Sequence, residues 1–515
     1  MPSVGRSWLF ITCGIPFRFG PLILFLSDQA CWSLLSARVQ LGWLHLSAYN
    51  PAYNNFHKAF AMAEMRPQFT STFGFVMAAT GSAVGLGNIW GFPTQAASNG
   101  GGAFLVAYLI LAFVLAYPAL MAELMIGRHG KANIVTSLHS LGTRPATRKI
   151  GSLVGYVGVI TASLILSFYA IVAGWMLSRF FQAGAQLIGW SNAELWLAQT
   201  SSLRDLLVCA IFSLLTIYIV ARGVSDGIER WSTRLMPMLV IILLGLIIYV
   251  VTLPGAMTGL RHYLLPDISR LSDPGLLLSA MSQAFFSLSL GVGVMLVYGS
   301  YLNRQPLAKG DSLPRLGASV ALLDVSLAFT AGLLIIPTMY VAQEQGITIF
   351  TDRGELVAGP GLVLQVLPAL FDNMGIAGVL VSLAFFALMV IAALTSSISM
   401  LEVPVSVTVE KSRMSRKASA TIIGSLIFII SVALIMNMEL LFDGLVALTT
   451  SYSQPLLGLA LCLFAGWILF RNNVLQKMRA EDPAISRSIF WRVWPVYVRF
   501  VCPLFIVLML IQSLR

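Results

Sequence analysis

Eleven apolar stretches, each long enough to cross a lipid bilayer, occupy most of the chain after residue 70. A bilayer core is about 30 Å thick, so a crossing helix needs about 20 apolar residues. Only 10% of the 515 residues are charged, whereas soluble domains carry roughly 25%. The sequence therefore predicts an all-α polytopic membrane protein with 11 transmembrane helices. The predicted spans lie near 72–96, 102–126, 150–183, 203–221, 235–253, 276–301, 317–340, 376–408, 418–437, 441–470 and 494–513.

Two regions depart from this pattern. The segment 350–372 carries glycines, prolines and charges, which predicts a long loop with short helices. Residues 1–65 hold an apolar run interrupted by Pro16 and Arg18, and no clear signal-peptide cleavage site follows it. We interpret 1–65 as an N-terminal extension without function, with Met62 or Met65 as alternative start residues.

Charge is distributed unevenly between the loops. If the segment before the first span is cytoplasmic, the inner loops carry 20 Lys and Arg against 6 acids, and the outer loops carry 4 against 10. Cytoplasmic loops of membrane proteins carry an excess of Lys and Arg. The N-terminus of the bundle is therefore predicted to be cytoplasmic and the C-terminus to lie outside. The net charge of +11 is explained by these loops, and no nucleic-acid partner is expected.

Glycine pairs interrupt the first and sixth spans at mid-membrane, as Gly85-Leu86-Gly87 and Gly291-Val292-Gly293. Glycine in a helix interior costs up to about 1 kcal/mol relative to alanine, so close packing or a helix break must offset it. Unwinding exposes carbonyl oxygens for a small cation and N–H groups for an anion. Glycine-interrupted spans in corresponding positions of two halves indicate an inverted-repeat transporter with a midplane site.

Polar side chains beside these breaks offer further oxygen atoms. Asn88, Ser287 and Ser289 flank the glycine pairs, and the eighth span carries the hydroxyl run Thr395-Ser396-Ser397. Asp324 lies in the seventh span with no other charge within eight residues. A carboxylate at this depth is a functional-site hypothesis by default, because burying it unpaired is costly. Two acids nearer helix ends are interpreted as structural, Glu123 and Glu402.

A family resemblance rests on five motifs that occur in the family's order: GSAVGLGNIWGFP, NGGGAF, RGVSDGIER, FFSLSLGVG and LTSSIS. From about Arg66 to its C-terminus the chain resembles the neurotransmitter:sodium symporter family, and within it the bacterial amino-acid transporters. The resemblance implies a five-plus-five inverted repeat with discontinuous helices 1 and 6, and alternating access. The transporter domain would be 66–515, with repeats at about 70–253 and 276–470 and an extra helix at about 494–513.

The resemblance implies two sodium sites. The first would combine the Ala83 carbonyl, completed by the substrate carboxylate, with three side chains, Asn88, Ser287 and Asp324. The second would combine three carbonyls with two hydroxyls, from Gly81, Val84, Ala392, Thr395 and Ser396. Asp324 stands where chloride-dependent members carry a neutral Asn. A fixed negative charge would then replace the anion, so sodium is expected and chloride is not.

An amino-acid substrate would lie between the two breaks by the same correspondence. Its carboxylate would meet the amides of Leu86 and Gly87 and the hydroxyl of Tyr169. Its amino group would meet the carbonyls of Ala83, Phe286 and Ser287 and the region of Ser396. Its side chain would lie among Ile165, Phe286, Ser289, Val292 and Met400. This lining has no charge, and Val292 stands where Phe is common, which favours a neutral, large apolar or aromatic side chain.

An inner gate and a site of helix unwinding are also implied by the resemblance. The gate would pair Arg66 with Glu410, with Tyr301 nearby. Gly227 and Pro237 match a family motif for local unwinding of the fifth span, and proline removes a helix hydrogen bond there.

The outer gate departs from the family pattern. Gly91 stands where the gating arginine is usual, and Val446 stands at the position of its acidic partner. Losing both charges avoids the cost of one buried unpaired charge. We expect this gate to close through Tyr169 and Phe286 instead.

The predicted function is sodium-coupled import of a neutral amino acid through a plasma membrane, by resemblance a bacterial inner membrane. Two alternatives stay open: a transport-silent sensor or scaffold of the same fold, motivated by Gly91, and proton-coupled symport through Asp324. An enzyme is not expected, since Gly85-Leu86-Gly87 follows no strand and the five histidines form no constellation. The five cysteines lack metal-type spacing, and the sequence leaves the oligomeric state open.

Overall fold

Helices make up the regular structure of the described residues, apart from one isolated bridge between Gly101 and Pro266. The computed structural model describes residues 67–302, 312–349, 361–412, 414–469 and 489–513. All of them belong to one unit, Pro67–Arg515. The predicted extension 1–65 and the predicted gate residue Arg66 lie outside the described residues.

Nine helices within the described ranges are long and apolar enough to cross a membrane. They correspond to the predicted second to fifth and seventh to eleventh spans. In chain order they are Gly102–Gly130, Pro145–Leu187, Ser202–Ala221, Val224–Val251, Leu313–Glu344, Gly375–Ser412, Arg416–Met436, Met438–Leu469 and Phe490–Ser513. The membrane-protein class predicted from hydropathy is confirmed.

The first span is broken in the middle, as its glycines predict. Thr72–Ala83 and Gly87–Ser98 meet at an angle of 58°. Val84 leaves the helical conformation for an extended one, and the second half begins with one π-helical turn, Gly87–Gly91. The break leaves backbone groups at mid-span without partners in their own helix, so surrounding groups must satisfy them.

The sixth span is also interrupted, between Pro274–Ser287 and Val294–Ser300. Neither half is long enough to cross a bilayer alone. Between them the backbone takes positive φ at Ser289, Gly291 and Gly293, with values of 52°, 76° and 81°. The prediction of discontinuous helices 1 and 6 is confirmed, and the two breaks lie five spans apart as the five-plus-five arrangement requires.

Several helices extend beyond the predicted apolar segments. The third runs over Pro145–Leu187 instead of 150–183, and the seventh over Leu313–Glu344 instead of 317–340. The seventh begins where the Ser312 hydroxyl accepts a hydrogen bond from the Arg315 amide. Capping and an initial proline set such ends, and hydropathy does not report them. In the predicted loop 350–372 two short helices occur, Leu362–Val366 and Leu367–Asn373.

The third and eighth spans pack along each other beside the two broken helices. Close approach to the first break requires glycine. A Cβ added at Gly85 would lie 2.8 Å from the Ser396 hydroxyl, and one at Gly87 would lie 2.6 Å from the Phe286 ring. The glycines therefore let the eighth and sixth spans meet the unwound backbone directly.

Candidate functional site

A buried polar cluster joins the two breaks to the seventh span. The amide nitrogen of Asn88 donates to Ser287 Oγ at 2.8 Å and to Asp324 Oδ1 at 2.7 Å. Ser287 Oγ in turn donates to Asp324 Oδ2 at 2.7 Å. The structure thus brings together the three side chains predicted for the first sodium site, from sequence positions up to 236 residues apart.

The charge of this cluster is not balanced by a basic side chain. Asp324 is 0% exposed, and among the described residues no Lys, Arg or His forms an ion pair with it. A buried carboxylate without a cationic partner is strongly destabilising. The hydroxyl, amide and carboxylate groups around it are hard oxygen donors of the kind that hold sodium at broken helices, so the residues fit a small cation.

One member of this cluster does not appear in the sequence predictions. Tyr108, from the second span, places its hydroxyl 3.1 Å from Ser287 Oγ and is fully buried. A single tyrosine in the apolar run AFLVAYLIL gave no signal that could separate it from ordinary core residues.

A second oxygen cluster lies between the first and eighth spans. Ser396 Oγ is 3.3 Å from each of three carbonyl oxygens, those of Gly81, Ser82 and Val84. A hydroxyl has one proton and can donate to only one of them at a time. Thr395 Oγ1 donates to the Ala392 carbonyl at 3.0 Å. Converging carbonyl oxygens from an unwound helix are the ligand set that sodium requires, so the residues predicted for the second site also fit a cation.

A cavity of about 70 Å³ lies beside both clusters. Ten of the eleven residues predicted to bind substrate line it: Ala83, Leu86, Gly87, Ile165, Tyr169, Phe286, Ser289, Val292, Ser396 and Met400. The exception, Ser287, is buried in the Asp324 cluster. Four further lining residues were neither predicted site residues nor glycines of the predicted break: Ser82, Phe168, Thr450 and Gln454. The polar run TTSYSQ in the tenth span contains Thr450 and Gln454 and could have indicated a polar cavity wall there.

Tyr169 connects the third span to the first break. Its hydroxyl accepts a hydrogen bond from the Leu86 amide at 3.2 Å. Ser289 Oγ, from the sixth span, donates to the Ser82 carbonyl at 3.0 Å, which holds Ser289 in its left-handed conformation. The predicted carboxylate-binding groups of Leu86 and Tyr169 are therefore adjacent, at the start of the second half-helix.

Side chains from two other spans stabilise the sixth-span break. The Leu290 carbonyl accepts from Gln454 Nε2 at 2.9 Å, and the Gly291 amide donates to Glu123 Oε1 at 2.7 Å. Both polar groups of this one peptide are thereby satisfied away from water. A Cβ at Gly291 would lie 2.1 Å from the Gln454 carbonyl, so only glycine permits the contact.

A larger cavity of about 550 Å³ lies toward the end of the bundle where the sixth span begins. It shares four lining residues with the smaller one, Phe168, Phe286, Thr450 and Gln454. The Phe286 side chain is 42% exposed. Val446 also lines the large cavity, and a Cβ at Gly91 would meet nothing within 4 Å. The two positions that depart from the family's charged gate are thus near open space.

The other end of the bundle, where the sixth span finishes, is closed by polar contacts. The Tyr301 carbonyl accepts from the Phe69 amide at 3.1 Å, and its hydroxyl donates to Glu402. Arg416 forms an ion pair with Glu402. Sequence reasoning placed Tyr301 near a gate but did not find Glu402 or Arg416 there.

Two more carboxylates close this end. Glu229 accepts hydrogen bonds from the amides and hydroxyls of both Thr70 and Ser71, at 2.7–3.2 Å. Glu410, predicted to pair with Arg66, accepts from the Asn133 amide nitrogens at 3.0 and 2.7 Å. Glu229 escaped sequence reasoning because its partners lie at least 158 residues away.

The predicted unwinding residues lie in the fifth span, Gly227 at its start and Pro237 near its middle. Gly227 is in a π-helical turn, Val224–Glu229, and Pro237 is inside the following helix, Arg230–Val251. A Cβ at Gly227 would lie 2.2 Å from the Ile219 carbonyl. The turn that contains Gly227 ends at Glu229, the residue that binds the beginning of the first span.

A helical membrane bundle with two oxygen-rich breaks around a central cavity defines a secondary transporter. The family model described as the sodium:neurotransmitter symporter family matches residues 66–203 and 196–515. The chain belongs to this family and is a sodium-dependent symporter, not an enzyme.

Individual relatives support this assignment. The sodium-dependent transporter YhdH of Bacillus subtilis (strain 168) is 34% identical over 467 residues, covering 88% of this chain and 98% of its own. The human sodium- and chloride-dependent taurine transporter is 29% identical over 59% of this chain and 54% of its own. The crystal structure of MhsT in complex with L-phenylalanine superposes with a TM-score of 0.72 at 36% identity, covering 87% of this chain and 100% of that one.

Proposed function

We propose that this protein imports a neutral amino acid with a large apolar or aromatic side chain, coupled to two sodium ions and independent of chloride. The observation that carries the proposal is the Asp324 cluster, a fully buried carboxylate joined to both helix breaks beside a cavity. A bound sodium ion supplies the positive charge that the described side chains around Asp324 do not.

The cavity lining supports the substrate class. Its side chains include no charged group among the described residues, so a charged substrate side chain is disfavoured by desolvation. MhsT, which is 36% identical, was crystallised with L-phenylalanine. The substrate carboxylate would bind at Leu86, Gly87 and Tyr169 and complete the first sodium shell.

Sharing of ligands explains the coupling. A substrate carboxylate beside Ala83, Asn88 and Ser287 raises the affinity for sodium at that site, and sodium raises the affinity for substrate by the same factor. The second sodium, at Ser396 and the carbonyls of the first break, stabilises the contact between the first and eighth spans. Release at the other face then requires that this contact open.

The excess of basic residues supports a cytoplasmic Tyr301–Glu402 end and an outward-facing large cavity. The transporter domain is 66–515, which the family match spans. The membrane is a plasma membrane, by relationship a bacterial inner membrane, and the N-terminus of the bundle is cytoplasmic. With the inner end closed and Phe286 exposed, the structure has the geometry expected before substrate enters from outside.

Uptake into proteoliposomes tests the proposal. Purified protein should accumulate labelled phenylalanine or leucine under an inward sodium gradient, with external chloride replaced by gluconate. Accumulation that follows a pH gradient and needs no sodium would instead establish proton coupling through Asp324. Absence of accumulation under both gradients would favour a transport-silent sensor or scaffold, and dependence on chloride would remove Asp324 from its proposed role.

Asp324→Asn tests the charge directly. Because the variant lacks the fixed anion, we expect uptake at least about tenfold slower without chloride and partly restored by chloride, a change of about 1.4 kcal/mol or more. Asp443→Asn is a matched control, since Asp443 is exposed near the start of the tenth span. Unchanged sodium-driven uptake by Asp324→Asn would contradict the proposal.

A further inference from the structure

Gln454 has a buried acceptor that no group among the described residues satisfies. The residue is 3% exposed and lines both the small and the large cavity. Its Nε2 donates to the Leu290 carbonyl at 2.9 Å, and its Oε1 has no hydrogen-bond partner in the described part of the chain. Rotating the amide would set Oε1 against the Leu290 oxygen, so the hydrogen-bond network fixes the orientation.

Two neighbouring hydroxyl groups in the cavity wall have already used their protons. Thr450 Oγ1 donates to the Val446 carbonyl at 2.7 Å, and Ser289 Oγ donates to the Ser82 carbonyl at 3.0 Å. Gln454 Nε2 carries two protons and gives one of them to Leu290, so these three side chains together offer several lone pairs and one unused donor. The wall formed by these three residues therefore complements a ligand that brings its own N–H or O–H group.

The position of Gln454 indicates which part of the ligand this group belongs to. The substrate headgroup has its own donors and acceptors at the first break, where Leu86 and Tyr169 lie. The cavity of about 70 Å³ is small, and Gln454 is among the four residues where it adjoins the larger one. A long aromatic side chain extending past Phe286 would bring a polar group at its far end to this junction.

We propose that Gln454 Oε1 is a specificity-determining acceptor for a donor on an aromatic substrate side chain. Tryptophan and tyrosine are then preferred over phenylalanine and over isosteres without the donor. An apolar ring leaves Oε1 buried and unpaired, whereas an indole N–H or phenol O–H satisfies it. This inference depends on the proposed function for the class of substrate, but it concerns binding and not coupling.

Equilibrium binding to purified protein in sodium tests the inference. Labelled phenylalanine is displaced by tryptophan and by 3-benzothienylalanine, in which sulfur replaces the indole N–H. We expect wild-type protein to bind tryptophan about tenfold more tightly than the sulfur analogue. Equal affinities would overturn the inference without any variant being needed, as would failure of all three compounds to bind.

Gln454→Met separates specificity from a structural role, because methionine has similar length but no amide. In this variant tryptophan and the sulfur analogue should bind with about equal affinity. Phenylalanine should bind at least as tightly as it does to wild-type protein. Equal weakening of every ligand would show that the bond to Leu290 is what matters, and would overturn the inference. Gln345→Met, at an exposed position, is the matched control. Binding with the expected preference but without sodium-driven uptake would contradict the proposed coupling and leave the role of Gln454 supported.

Discussion

The two ends of the bundle are built from different chemistry. At the end where Tyr301 lies, buried carboxylates hold the helices together through an ion pair and hydrogen bonds to backbone and hydroxyl groups. At the other end, around Gly91 and Val446, a cavity of about 550 Å³ is bordered by Phe286. Opening the first end requires charged groups to lose partners, whereas closing the second requires movement of aromatic side chains.

The difference between the two ends indicates which of them is more costly to open during alternating access. The Glu402 side chain is 0% exposed and the Arg416 side chain 17%, so separating them leaves a charge with little water to replace its partner. Aromatic packing is less directional and lacks this penalty. We therefore expect the charged end to limit how often the bundle opens at that end, and the aromatic end to open and close at a lower cost.

Of the three substitutions considered, Arg416→Ala should change the difference between the two ends most, because it weakens the charged end. The variant leaves Glu402 buried and unpaired, and removing one partner of such a pair costs about 3–5 kcal/mol. We expect faster hydrogen exchange at the amides of Phe69 and Thr70 and an inward-shifted resting state. The double variant Glu402→Gln with Arg416→Gln removes both charges and should be milder. Wild-type exchange in Arg416→Ala would contradict the proposed role of the ion pair.

Glu229→Gln should have an intermediate effect. The substitution keeps one acceptor oxygen but loses the other, so part of the network with Thr70 and Ser71 breaks, at a cost of about 1–3 kcal/mol. Exchange should quicken both at the start of the first span and in the turn Val224–Glu229, because one side chain joins them. Glu439→Gln, at an exposed position, serves as the control. A response confined to one of the two segments would argue against a joint opening.

Gly91→Arg combined with Val446→Asp should have the smallest effect, since it adds charges to the aromatic end. The single variant Gly91→Arg places a cation at a partly buried position that adjoins open space. If the double variant forms an exposed ion pair, it gains about 0–1 kcal/mol. Substrate dissociation should slow by at most about fivefold and respond to salt in the double variant only. Identical dissociation rates in the two variants would show that these positions do not meet.

The fold was predicted more completely than the contacts at the two ends. The helical membrane class and the positions of both breaks follow from local features, such as apolar runs and the pairs at Gly85 and Gly291. The polar side chains near the breaks, including Asn88 and Asp324, also stood out in the sequence because polarity within an apolar run is conspicuous. Helix ends were predicted less well, because capping by Ser312 and the length of the third span leave no trace in hydropathy.

By itself the sequence determined that this chain is a bundle of membrane helices broken at two points, because bilayer thickness and glycine act on short stretches of residues. Only the tertiary structure decided that Glu402 pairs with Arg416, that Glu229 binds the start of the first span, and that Gln454 holds the Leu290 carbonyl. Polarity shows that a buried group needs a partner. It does not show which partner, since each partner comes from another helix or another part of the chain, and packing alone selects it.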